Sequence, residues 1–149
     1  MKNGVFRAGL LMGGLVSLLL SSCRPTPTPP PSPPPPTLEV PQPYRGMKNI
    51  YAWDDPQGRA AGEAIYAQYC GTCHGPKGDG KGVAAAKQVP PPTDFTRPYI
   101  RGRFEDHPDF IFWTLSEGRP RTSMPPFKFV LNEDQRWQVL TYLYGLSRK

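Results

Sequence analysis

Apolar residues recur at helical spacing in three places along the 149-residue chain. Ala61, Ile65 and Tyr69 fall four apart, with Gly62 and Tyr66 beside them, and predict a helix from about Gln57 to Tyr69. Asp54 or Asp55 supplies its cap, and Pro56 suits its first turn. A second helix is predicted from Pro108 to Glu117, with Asp106 or His107 at its start and Gly118 after its end. A third runs from Glu133 to Leu146, where Trp137, Leu140, Leu143 and Tyr144 form the apolar face and Val139 and Leu146 flank it. Asn132 caps it, and Gln135 three residues on completes a capping box. No stretch alternates long enough to argue a sheet. The predicted fold class is all-α. Residues 75–106 read as a long loop rich in glycine and proline, and a loop of that length inside a compact domain needs something to fill the space.

The N-terminal pattern is different. Lys2 and Arg7 precede the uncharged run 8–22, which is shorter than the roughly 20 residues a membrane span needs, so residues 1–22 read as a signal peptide. The run ends in "LSSC", which resembles the bacterial lipobox. That resemblance implies a diacylglycerol on Cys23 and insertion in a lipid membrane. The plainer alternative is an uncleaved N-terminal anchor with an incidental cysteine. Both place the rest of the chain at the extracytoplasmic face of a bacterial membrane. Residues 23–43 contain eleven prolines, which favour polyproline II and a semi-rigid spacer; the segment 25–36 alone reaches about 37 Å. An unstructured leader and a ligand for a proline-binding module are the alternatives. Residues 44–54 form an apolar arm that either wraps the domain or docks on a partner, and residues 55–149 form the domain proper.

Charge changes the picture little. The full chain is +6, and removal of Met1–Cys23 takes away Lys2 and Arg7 and leaves +4. This suits an acidic protein surface or anionic lipid, and is too weak to argue for nucleic acid.

The chemistry lies in "YAQYCGTCHGPKGDGKG", residues 66–82. Cys70, Cys73 and His74 form C-x-x-C-H, the attachment signal for a c-type haem. Two thiols add across the two vinyl groups of the porphyrin, and the adjacent imidazole reaches the iron from below. A thioredoxin-like site needs a neighbouring βαβ unit, which the pattern lacks. A zinc site from Cys70, Cys73, His74 and His107 needs adjacent residues to reach one metal. The run Gly75–Gly82 imitates a phosphate loop, but Gly82 stands where Ser or Thr is required, and no strand precedes it. The glycines are expected to let the backbone pass close to the porphyrin edge.

For the second axial ligand, the chain after the signal peptide offers Met47, Met124 and His107. Met47 lies in the arm, and His107 sits at a helix start, where solvated histidines are common. Met124 is followed by Pro125 and Pro126, which stiffen its loop. Met124 is the expected ligand, with His107 or an open position as alternatives. A Met/His pair raises the iron potential and leaves no open site for a substrate.

The helix bearing C-x-x-C-H, the later "TSMPPF" and the C-terminal "WQVLTYL" occur in the order of class I cytochromes c, which residues 55–149 resemble. The resemblance implies a cytochrome c fold, with short helices and long loops around one covalently bound haem c, and Met124 as distal ligand. A carbonyl among Pro90, Pro91 and Pro92 is expected to accept the hydrogen bond from His74 Nδ1. Arg97, Arg101, Arg103, Arg119, Arg121 and Lys128 are expected near the haem, where they pair with its propionates, dock an acidic partner or are simply solvated. The expected role is that of a membrane-anchored one-electron carrier, not an enzyme by itself. It serves redox protein partners as a subunit of a respiratory or photosynthetic complex, such as alternative complex III, or as a free lipid-tethered shuttle. A ligand-binding or peroxidatic haem protein is less consistent, because five-coordinate cytochromes of the c-prime type carry C-x-x-C-H near the C-terminus.

Overall fold

The computed structural model describes residues 39–147. The predicted signal peptide, Cys23 and most of the proline-rich segment lie outside the described residues. Among the described residues there are five α-helices, two short 3-10 turns and no strand. The helices are α1 (Pro56–Tyr69), α2 (Gly71–His74), α3 (Pro98–Asp106), α4 (Pro108–Glu117) and α5 (Glu133–Leu146).

Helix α1 starts where Asp55 accepts a hydrogen bond from Gly58 N and Pro56 occupies the first turn. Its buried stripe is Gly58, Gly62 and Tyr66, whereas Tyr69 is exposed and Ala61 and Ile65 are only half-buried. The apolar face is therefore one residue away from the one read in the sequence. The reason is the partner: α1 crosses α5 at Gly62, where the missing side chain lets the backbones approach. A Cβ there would lie 2.0 Å from the Gln138 carbonyl oxygen and 3.0 Å from Tyr142 Cβ. Trp137 and Tyr144, both on the apolar face read for this last helix, have other partners. Trp137 stacks on Phe112 of α4 at 4.1 Å, and Tyr144 stacks on Trp53 at 5.2 Å. Helix α5 keeps its capping box, and from Val139 to Leu146 every residue is buried. A helix enclosed on all sides cannot show its packing face as a periodic stripe.

Helix α3 lies inside the stretch read as a loop. It buries only Ile100 and Phe104, carries Gly102 in its middle, and is otherwise polar, so two apolar residues four apart were its whole signal. Pro98 sets its first turn.

The arm wraps its own domain. Tyr44 is buried and its hydroxyl donates to Glu117 at the end of α4. Gly46 N donates to Asp109 at 2.9 Å, and Asn49 Nδ2 to Thr141 at 3.0 Å. Tyr51 donates to Asp134, and Trp53 packs between Tyr144 and Phe104. Val40, within the stretch expected as linker, is buried in the same core.

Candidate haem site

Cys70 closes α1, and the single turn α2 follows at once, with Cys73 N and His74 N both donating to the Cys70 carbonyl at 3.1 and 2.9 Å. The glycine-rich segment then folds back behind this turn. Gly80 N donates to His74 O at 2.8 Å, Gly82 N to Cys73 O at 3.1 Å, and Ala84 N to Thr72 O at 3.0 Å. A Cβ on Gly82 would meet Thr72 O at 2.2 Å. At Gly80 and Gly82 the glycine requirement is thus backbone against backbone. None of Gly75, Gly78, Gly80 or Gly82 lines the cavity in front of the cysteines, which corrects the expectation that they skirt the porphyrin edge.

That cavity has two lobes, of about 90 and 270 Å³, which share His74, Thr93, Arg119 and Met124. Cys70, Cys73, Pro90, Pro91, Pro92 and Phe127 line the smaller lobe. Ile100, Phe104, Trp113, Leu115, Leu140 and Leu143 line the larger one. Both cysteines are free thiols. Burial first, and the neighbouring Cys73 second, push the Cys70 thiol up to about 12. Burial holds the His74 imidazole below its ordinary value, against the opposing effect of its hydrogen bond to Thr93. The ring is thus neutral near pH 7, which is the form that binds a metal.

His74 Nδ1 lies 3.1 Å from the Thr93 carbonyl. Thr93, rather than Pro91 or Pro92, supplies this bond; the three prolines form cavity wall. Asp94 fixes the segment, accepting from Thr96 N at 3.0 Å, Thr96 Oγ1 at 2.6 Å and Arg97 Nε at 2.9 Å. This "TDFT" turn was the missed signal, since Asp followed two residues later by Thr is how an Asx turn announces itself. Phe95, also missed, lies against the His74 ring at 4.7 Å.

Of the expected basic residues, only Arg103 and Arg119 line the cavity. Arg97 pairs with Asp94, Arg101 with Glu105, and Lys128 with Glu117. Arg121 is exposed and lines neither lobe. His107 sits between α3 and α4 and also lines neither lobe. Among the described residues no group of three His, Cys, Asp or Glu converges on a metal position, so the zinc reading has no site.

The donor set fits a covalent haem: two free thiols two residues apart, a neutral imidazole beside them, a thioether on the shared wall, and an apolar enclosure. Residues 57–143 match the family model described as cytochrome c oxidase, cbb3-type, subunit III. The chain belongs to this family of c-type cytochromes. The cytochrome carries a covalently bound haem c. Among solved structures, it resembles a chain of the reducing HAO-like protein complex of Kuenenia stuttgartiensis, with 28% identity and a TM-score of 0.57 over 69% of this chain and 48% of that one. It also shares the fold of cytochrome cL from Methylophaga aminisulfidivorans, with 22% identity and a TM-score of 0.51 over 66% of this chain and 60% of that one. The chain thus spans about half to three-fifths of these neighbours. No curated protein matches.

Proposed function

We propose that this cytochrome carries single electrons at the extracytoplasmic face of a bacterial membrane, as an electron-transfer subunit of a respiratory complex. One observation carries the reading: His74 and Met124 border both lobes of the cavity. Were the His74 imidazole and the Met124 thioether both to hold the iron, no coordination position would be left for a substrate, and the job that remains would be electron transfer. The haem supplies one reversible electron at its iron. The chain supplies the rest. Thr93 orients the imidazole and raises its basicity. The apolar wall of Ile100, Phe104, Leu115, Leu140 and Leu143 keeps water away. Arg103 and Arg119 stand at the cavity for the propionates.

The family description, subunit III of a cbb3-type oxidase, supports a place in a membrane complex. The arm 44–54 no longer adds to that case, because it is used inside the domain. The resemblance of "LSSC" to a lipobox supports anchoring through Cys23, and the proline-rich stretch keeps the tethered shuttle as the second reading.

The test is a redox titration of the purified holoprotein under carbon monoxide. A one-electron transition with no carbon monoxide adduct supports the carrier; a rapid, stoichiometric adduct overturns it. Mild-detergent solubilisation of membranes then separates the two readings. Haem that migrates with a large assembly indicates the subunit, and haem that migrates alone indicates the shuttle. A mature N-terminus at Cys23 with added lipid mass checks the anchor.

A further inference from the structure

The loop that carries Met124 is fastened at its base by a residue from the N-terminal arm. Helix α4 ends at Glu117, and the chain returns to the same place at Lys128, eleven residues later. The Glu117 carboxylate receives Lys128 Nζ on both oxygens, at 2.9 and 2.7 Å. The same Oε1 accepts the Tyr44 hydroxyl, which reaches it from 73 residues away in sequence.

Between those two anchors the loop is held by its own bonds. Arg119 N donates to the Met124 carbonyl at 3.2 Å, and Met124 N donates to Thr122 Oγ1 at 3.2 Å. Thr122 in turn donates to Arg119 O through its hydroxyl at 2.8 Å. Met124 is therefore tied to Arg119, the second residue of the loop, and the loop to Glu117. The Glu117 contacts can be lost without breaking any bond inside the loop, whose base is otherwise held by the buried Phe127 against Tyr69.

The two contacts on Glu117 are unequal. The Lys128 pair is about one-third exposed on both sides, 35% and 33%, and pairs of that kind contribute little. Tyr44 is only 9% exposed and its ring packs on Phe112, so its hydroxyl is held at Glu117 by the packing of the ring.

We infer that Tyr44 and Glu117 form a latch that keeps the Met124 loop closed over the sixth coordination position. They are positioning residues that act through Met124. The inference rests on the proposed ligation by Met124, and its test separates the two. Small nitrogenous bases compete with a methionine only while its loop is open, so their apparent affinity reports the open fraction.

The probe is imidazole, titrated by absorbance into the full-length ferric holoprotein. Tyr44→Phe and Glu117→Ala each raise the apparent imidazole affinity by roughly five- to tenfold, the net worth of one ordinary hydrogen bond. The double variant exceeds the stronger single one by less than twofold, because the two residues make one contact. Tyr51→Phe, which removes an arm hydroxyl bonded to α5 instead of α4, leaves the affinity unchanged. Equal tightening by Tyr51→Phe and Tyr44→Phe would mean that the arm acts only through general stability, and overturns the latch. An unchanged Tyr44→Phe overturns it as well. Met124→Ala is the reference: if it binds imidazole no more tightly than wild type, the ligand assignment falls and the latch with it. A tighter Met124→Ala beside an unchanged Tyr44→Phe removes the latch alone.

Discussion

The Gly62 Cα and the Gln138 carbonyl are so close that a single methyl group on Gly62 would stand 2.0 Å from that oxygen. The obstacle is backbone on a helix buried nearly all round, so it cannot swing aside. Gly62→Ala therefore forces α1 and α5 apart and is expected to cost about 3 kcal/mol or more, the upper end for overpacking. Denaturant unfolding followed by helical circular dichroism measures it. A cost under about 1 kcal/mol would show that the crossing relaxes freely.

Asp94 is expected to act on the iron through His74. Its carboxylate orders the turn that presents the Thr93 carbonyl. Asp94→Ala should loosen that carbonyl, make the imidazole a weaker donor, and raise the reduction potential by tens of millivolts, where about 59 mV is tenfold for one electron. The Thr96 hydroxyl first, with help from Thr96 N and Arg97, holds the Asp94 carboxyl below the ordinary carboxylate value. The folded value is depressed, so its stabilisation is complete above about pH 4 and is lost as pH falls through that lower value. Wild type titrated in that acid range should move towards the Asp94→Ala potential.

Arg103 and Arg119 should be separable from the other basic residues. Removal of a cation beside the cavity disfavours the less positive, reduced state, so Arg103→Gln and Arg119→Gln are expected to lower the potential by tens of millivolts. Arg97→Gln and Arg101→Gln, which lose surface pairs with Asp94 and Glu105, should lower it by far less. Equal shifts in all four would indicate only a general surface field.

Trp53 fastens the end of the arm by stacking on Tyr144 and meeting Phe104 edge-on at 5.6 Å. It is half-buried, so Trp53→Ala is expected to cost about 2 kcal/mol, below the range for a fully enclosed tryptophan. Thermal unfolding checks the loss, and an unchanged visible spectrum shows that the haem pocket survives.

The sequence made the covalent chemistry legible because it is local. C-x-x-C-H spans only five consecutive residues, and α2 with its cap places Cys70, Cys73 and His74 together by one turn of helix. Caps and proline starts were legible for the same reason. Asp55, Pro56, Asn132 and Gln135 act within three residues of themselves. Helix α3 was not legible, since it hides two apolar residues among charges and is stabilised by what it packs against.

By itself, then, the sequence determined that the chain is helical and carries a haem c, and it named Cys70, Cys73 and His74 as the candidates to hold it. It named Met124 as the candidate second ligand from composition and loop stiffness. Only the tertiary structure decided which contacts cross long separations. It brought Met124 to the cavity wall shared with His74 and chose Thr93 over the prolines as hydrogen-bond partner. It turned the arm inward onto α4 and α5 and joined Tyr44 to Glu117. These pairings depend on where folded elements cross, and crossings are set by close packing of whole surfaces, which no local spacing encodes.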